Sequence, residues 1–222
     1  MIKFSCSSLG DLMTNPRSKS ETLSETCKKR LLQVHIGLKY KRYKEIDSKY
    51  FAKGRISEEA SIKILSEYMD LELSKNEDRL ENDFIKGYPD IITDDLVFEV
   101  KTPFDIFTYF NSKSSKLDNS YYWQIQGYLA LTGKENAYLA YCLVDTPNFI
   151  INQEKKRLSY SMDIVEEEQL YFDKCKQIEK NMKYFDIPIS EKIHLFEIER
   201  NDEDIKKIYS RVLECREYIK TL

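Results

Sequence analysis

The pattern of apolar and polar residues in the middle of the chain changes from helical spacing to short runs that suit strands. Turn sequences at Gly87-Tyr88-Pro89 and Asp94-Asp95 separate these runs, and Pro103 follows the last one. We therefore predict three strands here, at residues 79–86, 90–93 and 96–101. A predicted helix at residues 119–132 then leads to a fourth, buried strand at residues 135–145.

Helical spacing of apolar residues also marks the segments that precede these strands. Residues 18–46 predict one or two helices, with Gly37 as the point of interruption. Residues 57–73 predict a helix that has Ser57 as its N-cap and one apolar face. The residues expected on that face are Ala60, Ile64, Leu65, Met69 and Leu71.

The last third of the chain predicts a hairpin, a long polar helix, a strand and a closing helix, at residues 149–163, 164–182, 192–200 and 202–220. The whole order predicts an α/β fold, in which helices flank a mixed central sheet and extra helices lie at both ends. We expect one domain over residues 1–222. Its core lies at about 50–145, between a basic helical region at 1–49 and an α/β extension at 146–222.

The composition is that of a compact chain. Of its 222 residues 41% are hydrophobic, and 16 tyrosines and 11 phenylalanines provide aromatic packing surface. No apolar stretch is long enough to cross a membrane, and the first residues lack the apolar run of a secretory signal, so we expect a cytoplasmic protein without a membrane partner. The five cysteines are widely spread, which indicates free thiols and argues against a zinc or iron–sulfur site.

The net charge of −3 hides an uneven distribution. Residues 1–63 contain 14 Lys and Arg against 7 Asp and Glu, whereas residues 64–153 contain 7 against 15. A basic segment beside an acidic one fits a protein that contacts phosphates at one place and binds metal ions at another. A solvated helix face is the alternative explanation. The candidates for phosphate contact are Arg17, Arg55 and the run from Lys39 to Lys44, which includes Lys41 and Arg42.

Candidate chemistry lies in the predicted strand 96–101. Four places in the chain match acidic-x-Lys, so the pattern by itself carries little information. Glu99-Val100-Lys101 differs from the others because residues two apart in a strand point to the same face. Glu99 and Lys101 are therefore expected to project together, while Phe98 and Val100 pack behind the sheet. Charged side chains in an apolar layer are costly unless they meet a charged ligand, which makes this strand a site candidate.

Asp90 is the second acidic residue of this candidate site. A hairpin that turns at Asp94-Asp95 would place it beside Glu99. Two converging carboxylates repel each other, and a divalent cation compensates for the repulsion. Oxygen ligands without a nearby His or Cys favour Mg²⁺ or Mn²⁺ over Zn²⁺. The alternatives are a turn-capping role for Asp90 and a surface ion pair for Glu99 and Lys101.

Four short motifs occur in one order along residues 50–145. They are Gly54-Arg55-Ile56-Ser57-Glu58, Gly87-Tyr88-Pro89-Asp90, Glu99-Val100-Lys101-Thr102-Pro103 and Gln124-Ile125-Gln126-Gly127-Tyr128. As G-x-x-x-E, G-x-P-D, E-V-K-x-P and Q-x-x-x-Y, this series resembles the PD-(D/E)xK nuclease superfamily, and in detail its lambda exonuclease and YqaJ-like viral recombinase branch. The resemblance implies a restriction-endonuclease-like core of helix, three strands, helix and strand.

The resemblance also implies a role for each motif residue. Asp90 and Glu99 would bind one or two Mg²⁺ or Mn²⁺ ions, with the Val100 carbonyl oxygen as an extra ligand. Lys101 would orient the attacking water or help to deprotonate it. Glu58 would complete the metal shell.

The remaining motif positions carry alternatives. Glu59 is the alternative to Glu58, and helix capping is the competing explanation for either residue. Gln124 would reach the water or a phosphate, and Tyr128 a phosphate near the scissile bond, while ordinary packing is the alternative for both. Gly127 between them is expected to permit close approach of the backbone to the sheet.

The implied function is a metal-dependent deoxyribonuclease, with an exonuclease of phage-type recombination or DNA end processing as its leading version. The implied substrate is double-stranded DNA with a free end, the implied partner is a single-strand annealing protein, and the implied setting is a bacterial or phage-infected cell. A homo-oligomer and a monomer both stay open. The alternatives are a structure- or site-specific endonuclease and a non-catalytic nucleic-acid-binding protein with a vestigial site; intact Asp90, Glu99 and Lys101 argue against the latter.

Overall fold

In a computed structural model, the chain forms a four-stranded mixed sheet, a three-stranded sheet and flanking helices. The structure describes residues 1–44, 49–162 and 168–222. Its strands are β1 (Phe4–Ser5), β2 (Leu80–Glu81), β3 (Ile85–Gly87), β4 (Ile91–Ile92), β5 (Leu96–Lys101), β6 (Asn136–Cys142) and β7 (Ile193–Glu199). Its helices are α1 (Leu9–Leu12), α2 (Glu25–Tyr40), α3 (Lys49–Met69), α4 (Ile106–Ser114), α5 (Asn119–Thr132), α6 (Asn148–Ser161), α7 (Glu168–Met182), α8 (Ile189–Lys192) and α9 (Asp202–Lys220). A 3-10 turn, Cys6–Ser8, joins β1 to α1.

The central sheet has the strand order β4-β5-β6-β7. Strands β4 and β5 are antiparallel, β5 and β6 are parallel, and β6 and β7 are antiparallel. The parallel pair requires a crossover, which α4 and α5 provide. This mixed sheet with flanking helices confirms the predicted fold class. The smaller sheet has the order β1-β3-β2.

The two faces of β5 enter different apolar clusters. Val97 packs in the cluster that contains residues of α1, α5 and α9, whereas Phe98 and Val100 pack with residues of α3. The first cluster includes Leu9, Ile125, Leu129 and Ile208, and the second includes Ile62, Leu65, Ala140 and Cys142. Because side chains alternate along a strand, Glu99 and Lys101 lie on the Val97 side, which α5 covers.

Helices α5 and α9 have the bounds that the sequence predicts. The Asp118 side chain accepts a hydrogen bond from the Ser120 amide at 2.7 Å, and the Asn201 side chain accepts from two amides of the first turn of α9 at 3.1 Å. Such N-caps satisfy amides that have no partner within the helix. The end of α5 at Gly133 is equally clear, because that residue has a φ of +73°. The bounds of α5 were predictable because the sequence contains both its N-cap, Asp118, and its terminator, Gly133. The start of α9 was predictable because Asn201 is a typical N-cap residue.

The N-terminal segment forms one helix, α2, which begins after the N-cap Ser24. Gly37 lies inside its last turn and does not interrupt it, because the Gly37 carbonyl accepts the amide of Lys41. The predicted extension to residues 45 and 46 lies outside the described residues.

The predicted single strand at residues 79–86 is wrong. Strands β2 and β3 are separate and antiparallel, and β3 pairs in parallel with β1. The chain reverses at Asn82, whose side-chain oxygen accepts the amides of Phe84 and Ile85 at 2.9 Å. An asparagine that bonds its own backbone two residues on favours a turn over a continuous strand. The β2–β3 hairpin therefore belongs to the small sheet and contributes no strand to the central sheet.

The predicted start of the next helix at Ser57 is also wrong, because α3 already begins at Lys49. Ser57 is buried inside the helix and does not cap it. Ile64, Leu65 and Met69 face the apolar cluster as expected. By contrast, Ala60 and Leu71 are exposed.

Polar residues replace the expected apolar ones on the buried face of α3. Lys53 and Ser61 are fully buried there. The Lys53 ammonium donates to the Phe104 carbonyl at 2.9 Å, and the hydroxyls of Ser61 and Thr102 are hydrogen-bonded at 2.7 Å. Both bonds fasten α3 to the segment that follows β5. Polar residues can fill this face because each has a partner across the interface.

The predicted hairpin at residues 149–163 is wrong as well, since helix α6 occupies Asn148–Ser161. Ile150 and Ile151 anchor its first turn in a cluster with Phe104 and Met182. The following run of Gln, Glu, Lys, Arg and Leu has high helix propensity, which outweighs the alternation of apolar residues. Helix α7 packs against α6, and the first residues of its predicted span, 164–167, lie outside the described residues.

Two further expectations concern the cysteines and the possibility of a membrane span. All five cysteines are free and buried, as predicted. Among the described residues, no helix combines the length and apolar character that a membrane span requires.

Candidate active site

The β4–β5 hairpin brings Asp90 to Glu99 as predicted. The turn closes between Thr93 and Leu96, where the Thr93 amide donates to the Leu96 carbonyl at 2.9 Å. Asp90 precedes β4, and its Oδ2 accepts the Val100 amide at 2.7 Å. Because the N–H and C=O groups of one strand residue point to the same side, the Val100 carbonyl also faces the side of Asp90.

Helix α5 places the two residues of the Q-x-x-x-Y motif against Glu99. The Gln124 side-chain amide donates to Glu99 Oε1 at 2.7 Å and to the Tyr128 hydroxyl at 2.9 Å. The Lys101 ammonium forms an ion pair with the same Glu99 oxygen. The structure thus brings Asp90, Glu99, Lys101, Gln124 and Tyr128 into one cluster, which we call the acidic site.

The second carboxylate oxygen of Glu99 is the unusual atom of the acidic site. Glu99 is only 3% exposed, and its Oε2 has no hydrogen-bond partner among the described residues. A buried carboxylate oxygen without a partner is costly. Its position suggests that a cation belongs there.

The ionisation of the acidic site reflects crowding of negative charge. Burial and the neighbouring charge of Glu99 raise the pKa of Asp90 to about 7, against a smaller lowering by the Val100 amide. Burial and Glu99 also raise the pKa of the Tyr128 hydroxyl far above its ordinary value. Burial lowers the pKa of Lys101, but Glu99 and its hydrogen bond outweigh that effect, so the pKa of Lys101 is raised overall. One ammonium does not balance this charge.

These donors fit a hard divalent cation. Asp90, Glu99 and the Val100 carbonyl offer oxygen atoms alone, which Mg²⁺ and Mn²⁺ prefer. Glu58 is close enough to Asp90 to contribute to the raised pKa of that residue, but it is paired with Lys75 at 2.9 Å. Across residues 1–44, 49–162 and 168–222, no three His, Cys, Asp or Glu side chains come together as a metal-binding group. A cation here would therefore rest on two carboxylates, a carbonyl and water.

The two candidate glutamates of α3 differ in position. Glu58 is half-buried beside Lys75, whereas Glu59 is exposed. Because Glu58 is inside the helix and not at its start, the capping explanation does not apply to it.

The four predicted phosphate contacts lie on the surface. Arg17, Lys41, Arg42 and Arg55 are exposed, and none of them lines the large cavity beside the small sheet. That cavity has a volume of about 980 Å³, and other cations line it. They are Lys3, Arg30, Lys44, Arg79 and Lys86. Lys44 belongs to the predicted run Lys39–Lys44, whereas sequence reasoning missed the other four, because they come from distant segments that only the fold brings together.

Strand β3 lies between the cavity and Tyr128. Ser5 and Lys86, which line the cavity, are paired across β1 and β3, and Gly87 follows Lys86 on that strand. A Cβ at Gly87 would lie 2.6 Å from the Tyr128 ring. A Cβ at Gly127 would meet Leu9 at 2.7 Å and Cys6 at 2.9 Å. Gly127 therefore permits close approach as predicted, but to the 3-10 turn and α1 instead of the sheet.

The structure adds one residue to the acidic site that no motif identified. The Tyr121 ring centroid lies 5.0 Å from the Lys101 ammonium nitrogen. Tyr121 precedes Gln124 by three positions and Tyr128 by seven, so the helix period places all three on one face of α5. This spacing could have indicated it.

The family model of the YqaJ-like viral recombinase domain matches residues 13–135. That span is more than half of the chain and contains every residue of the acidic site. The chain belongs to this family. Membership confirms the resemblance to the YqaJ-like and lambda exonuclease branch of the PD-(D/E)xK nuclease superfamily. It also extends the resemblance to helix α2, which the motifs at residues 50–145 did not reach.

Solved structures share the fold of this YqaJ-like chain. A phage-related exonuclease from Haemophilus somnus 129PT has a TM-score of 0.78 and 26% identity, with 99% of this chain and 94% of that chain covered. The alkaline exonuclease LHK-Exo from Laribacter hongkongensis has a TM-score of 0.67 and 14% identity, with 99% and 88% covered. A comparison with curated proteins gave no significant match. The structural matches thus extend the shared fold beyond the YqaJ-like domain to β7 and α9.

Proposed function

We propose that this YqaJ-like protein is a metal-dependent deoxyribonuclease that degrades duplex DNA from an end. The observation that carries the proposal is the buried, unpartnered Oε2 of Glu99 beside Asp90, with Lys101 bound to the other oxygen of the same carboxylate. The likeness to a phage-related exonuclease at 26% identity supports the end-dependent version.

Asp90, Glu99 and the Val100 carbonyl would hold one or two Mg²⁺ or Mn²⁺ ions, and Glu58 would join them if it leaves Lys75. Such an ion, when bound, supplies acidification of water and compensation of charge on the phosphate oxygens. Lys101 lies on the same face as these ligands and keeps its positive charge at neutral pH. Its ammonium would orient the attacking water and attract the phosphodiester.

Gln124 and Tyr128, both on α5, would orient Glu99 and bind a phosphate oxygen. The Gln124 amide holds Glu99 Oε1, which leaves Oε2 for the cation. The Tyr128 hydroxyl accepts from Gln124, so its own hydrogen is available to donate to a phosphate oxygen. Its raised pKa keeps that hydrogen in place at neutral pH.

The basic cavity supports DNA as the substrate. Five cationic side chains line it, and Lys86 is the neighbour of Gly87, which contacts Tyr128. Cations along a groove neutralise successive phosphates without reading sequence. A duplex that contacts these cations would lie beside strand β3, which borders Tyr128.

The test compares the wild type with Lys101→Ala on end-labelled linear duplex DNA, with Mg²⁺ or Mn²⁺. Lys206→Ala is the matched control, because Asp204-Ile205-Lys206 has the same acidic-x-Lys pattern on the exposed side of α9. We expect Lys101→Ala to lose cleavage by at least about 100-fold while DNA binding is retained. Lys206→Ala should cleave like the wild type.

Three outcomes contradict parts of the proposal. Absence of wild-type cleavage on linear, nicked and circular DNA with both metals would remove the nuclease function. Cleavage of covalently closed circles would replace end-dependent degradation with endonuclease activity. Full activity of Lys101→Ala would remove the role that we give to Lys101.

A further inference from the structure

Lys101 has a long side chain at the edge of a buried site. Its side chain is 27% exposed, although its ion-pair partner Glu99 is almost fully buried. A lysine side chain has four rotatable bonds and about 2 kcal/mol of rotamer entropy to lose on being fixed. A single ion pair leaves room for the ammonium to move toward solvent. A second contact is needed to fix its direction.

The Tyr121 ring supplies that contact. Its centroid is 5.0 Å from the Lys101 nitrogen, within the range of a cation–π interaction. The ring belongs to the first turn of α5, on the face that also carries Gln124. The ammonium therefore lies in contact with a carboxylate oxygen and with an aromatic ring.

The Tyr121 ring is itself held by neighbouring aromatic rings. It packs edge-on against Tyr141 at 6.5 Å and 76°, and Tyr141 packs against Phe196 at 6.2 Å and 75°. Tyr141 is the cross-strand partner of Lys101 in the β5–β6 pair. This aromatic row connects the central sheet to α5. Because the row is anchored at β7, the ring under Lys101 has a fixed position.

The ring and the hydroxyl of Tyr121 have separable roles. In the part of the chain that the structure describes, no protein group hydrogen-bonds to the Tyr121 hydroxyl. The contact with Lys101 is made through the ring, which phenylalanine would preserve and leucine would not. This difference provides a matched pair of variants.

We propose that Tyr121 is a positioning residue, whose ring directs the Lys101 ammonium toward the reacting phosphate. The proposal rests on the proposed function, because it acts through Lys101. Neither the family motif nor the predicted roles include this residue.

Steady-state cleavage of linear duplex DNA by Tyr121→Phe and Tyr121→Leu tests the role. We expect Tyr121→Leu to lower kcat about ten-fold, with KM within about two-fold of the wild type, and Tyr121→Phe to stay within about two-fold for both. Tyr122→Leu, a change of the adjacent aromatic that bonds Asp204, is the control and should keep the wild-type kcat. Full activity of Tyr121→Leu would overturn the proposal. Equal losses in both Tyr121 variants would assign the effect to the hydroxyl and overturn it too.

A measurement that does not depend on cleavage tests the contact itself. In the metal-free protein, the Lys101 side-chain methylene protons next to the ammonium should show an upfield ring-current shift by NMR, assigned through its loss in Lys101→Arg. The shift should persist in Tyr121→Phe and disappear in Tyr121→Leu. Its absence from the wild type would overturn the inference. An inactive wild type would instead refute the proposed function, so the two failures are distinguishable.

Discussion

At the scale of single residues, the acidic site concentrates negative charge that the protein alone does not balance. Asp90 and Glu99 lie beside each other on neighbouring segments, and Lys101 pairs with only one Glu99 oxygen. Burial, and then the neighbouring charge of Glu99, raise the pKa of Asp90 to about 7. Such a site lowers the stability of the metal-free protein and raises its affinity for a cation.

Asp90→Asn is predicted to stabilise the metal-free protein at pH 8. Between about pH 4 and 7, folded Asp90 keeps a proton that the unfolded chain has released, so the free energy of unfolding falls as pH rises through this window. The loss is on the order of 4 kcal/mol, and asparagine avoids it while its oxygen still accepts the Val100 amide. Urea unfolding with EDTA at pH 5 and pH 8 measures the advantage of Asp90→Asn over the wild type, which should be larger at pH 8 by about 3 kcal/mol.

The exposed turn residue Asp95 provides the control, and Asp95→Asn should match the wild type at both pH values. Added Mg²⁺ should raise the unfolding midpoint of the wild type and leave that of Asp90→Asn unchanged. Equal Mg²⁺ stabilisation of both proteins would show that Asp90 does not bind the ion.

The residues of the acidic site were predictable where a spacing rule selected one candidate. Residues two apart in a strand identified Glu99 with Lys101, and residues four apart in a helix identified Gln124 with Tyr128. Tyr121 was missed because no motif includes it, although its spacing of three from Gln124 and seven from Tyr128 places it on their face of α5.

At the scale of elements, the position of the acidic site depends on how α3 is fastened behind β5. Lys53 and Ser61 bind the segment that follows β5, and Glu58 lies between them in the sequence. The start of α3 was not predictable, because its anchor is a buried lysine in a sequence, Lys53-Gly54, that is typical of turns. Cap residues, by contrast, made the bounds of α5 and α9 predictable.

Lys53 is predicted to make stability depend on pH above neutrality. Burial lowers the pKa of Lys53 to about 8, although the charges of Asp105 and Asp145 oppose the shift. Between about pH 8 and 10.5 the unfolded chain holds a proton that the folded protein has lost, so this residue's contribution to the free energy of unfolding rises with pH, by about 3 kcal/mol. Urea unfolding of the wild type and Lys53→Met at pH 7 and pH 10 isolates this contribution as a difference.

Other tyrosines and lysines also titrate between about pH 8 and 10.5. They contribute equally to the wild type and to Lys53→Met, so their effects cancel in the difference between the two free energies of unfolding. Lys63→Met, a change of an exposed lysine on the same helix, is the control and should leave the wild-type pH dependence intact. If Lys53→Met and the wild type showed the same pH dependence of unfolding, the lowered pKa of Lys53 would be contradicted.

At the scale of the whole molecule, the cavity draws its cations from both the basic and the acidic parts of the chain. The basic N-terminal third contributes Lys3, Arg30 and Lys44 to the cavity, while Arg79 and Lys86 come from the acidic middle. The uneven charge predicted a phosphate-binding surface, and of the cations selected for it only Lys44 lines this cavity. The pairing of β1 with β3, which is long-range in sequence, brings the segments of Lys3 and Lys86 together.

Lys86→Gln is predicted to weaken duplex binding without changing the chemistry of the acidic site. Lys86 lines the cavity beside Gly87 and forms no ion pair among the described residues, whereas Lys3 and Arg79 are both paired with Glu81. An unpaired cation that neutralises one phosphate contributes about one unit to the slope of log K against log salt. Fluorescence anisotropy of a labelled duplex with EDTA, between about 50 and 200 mM salt, should show a weaker affinity and a shallower slope. Lys206→Gln, at an exposed position of α9, should keep both the affinity and the slope at wild-type values. An unchanged slope in Lys86→Gln would exclude this cavity from the path of the DNA.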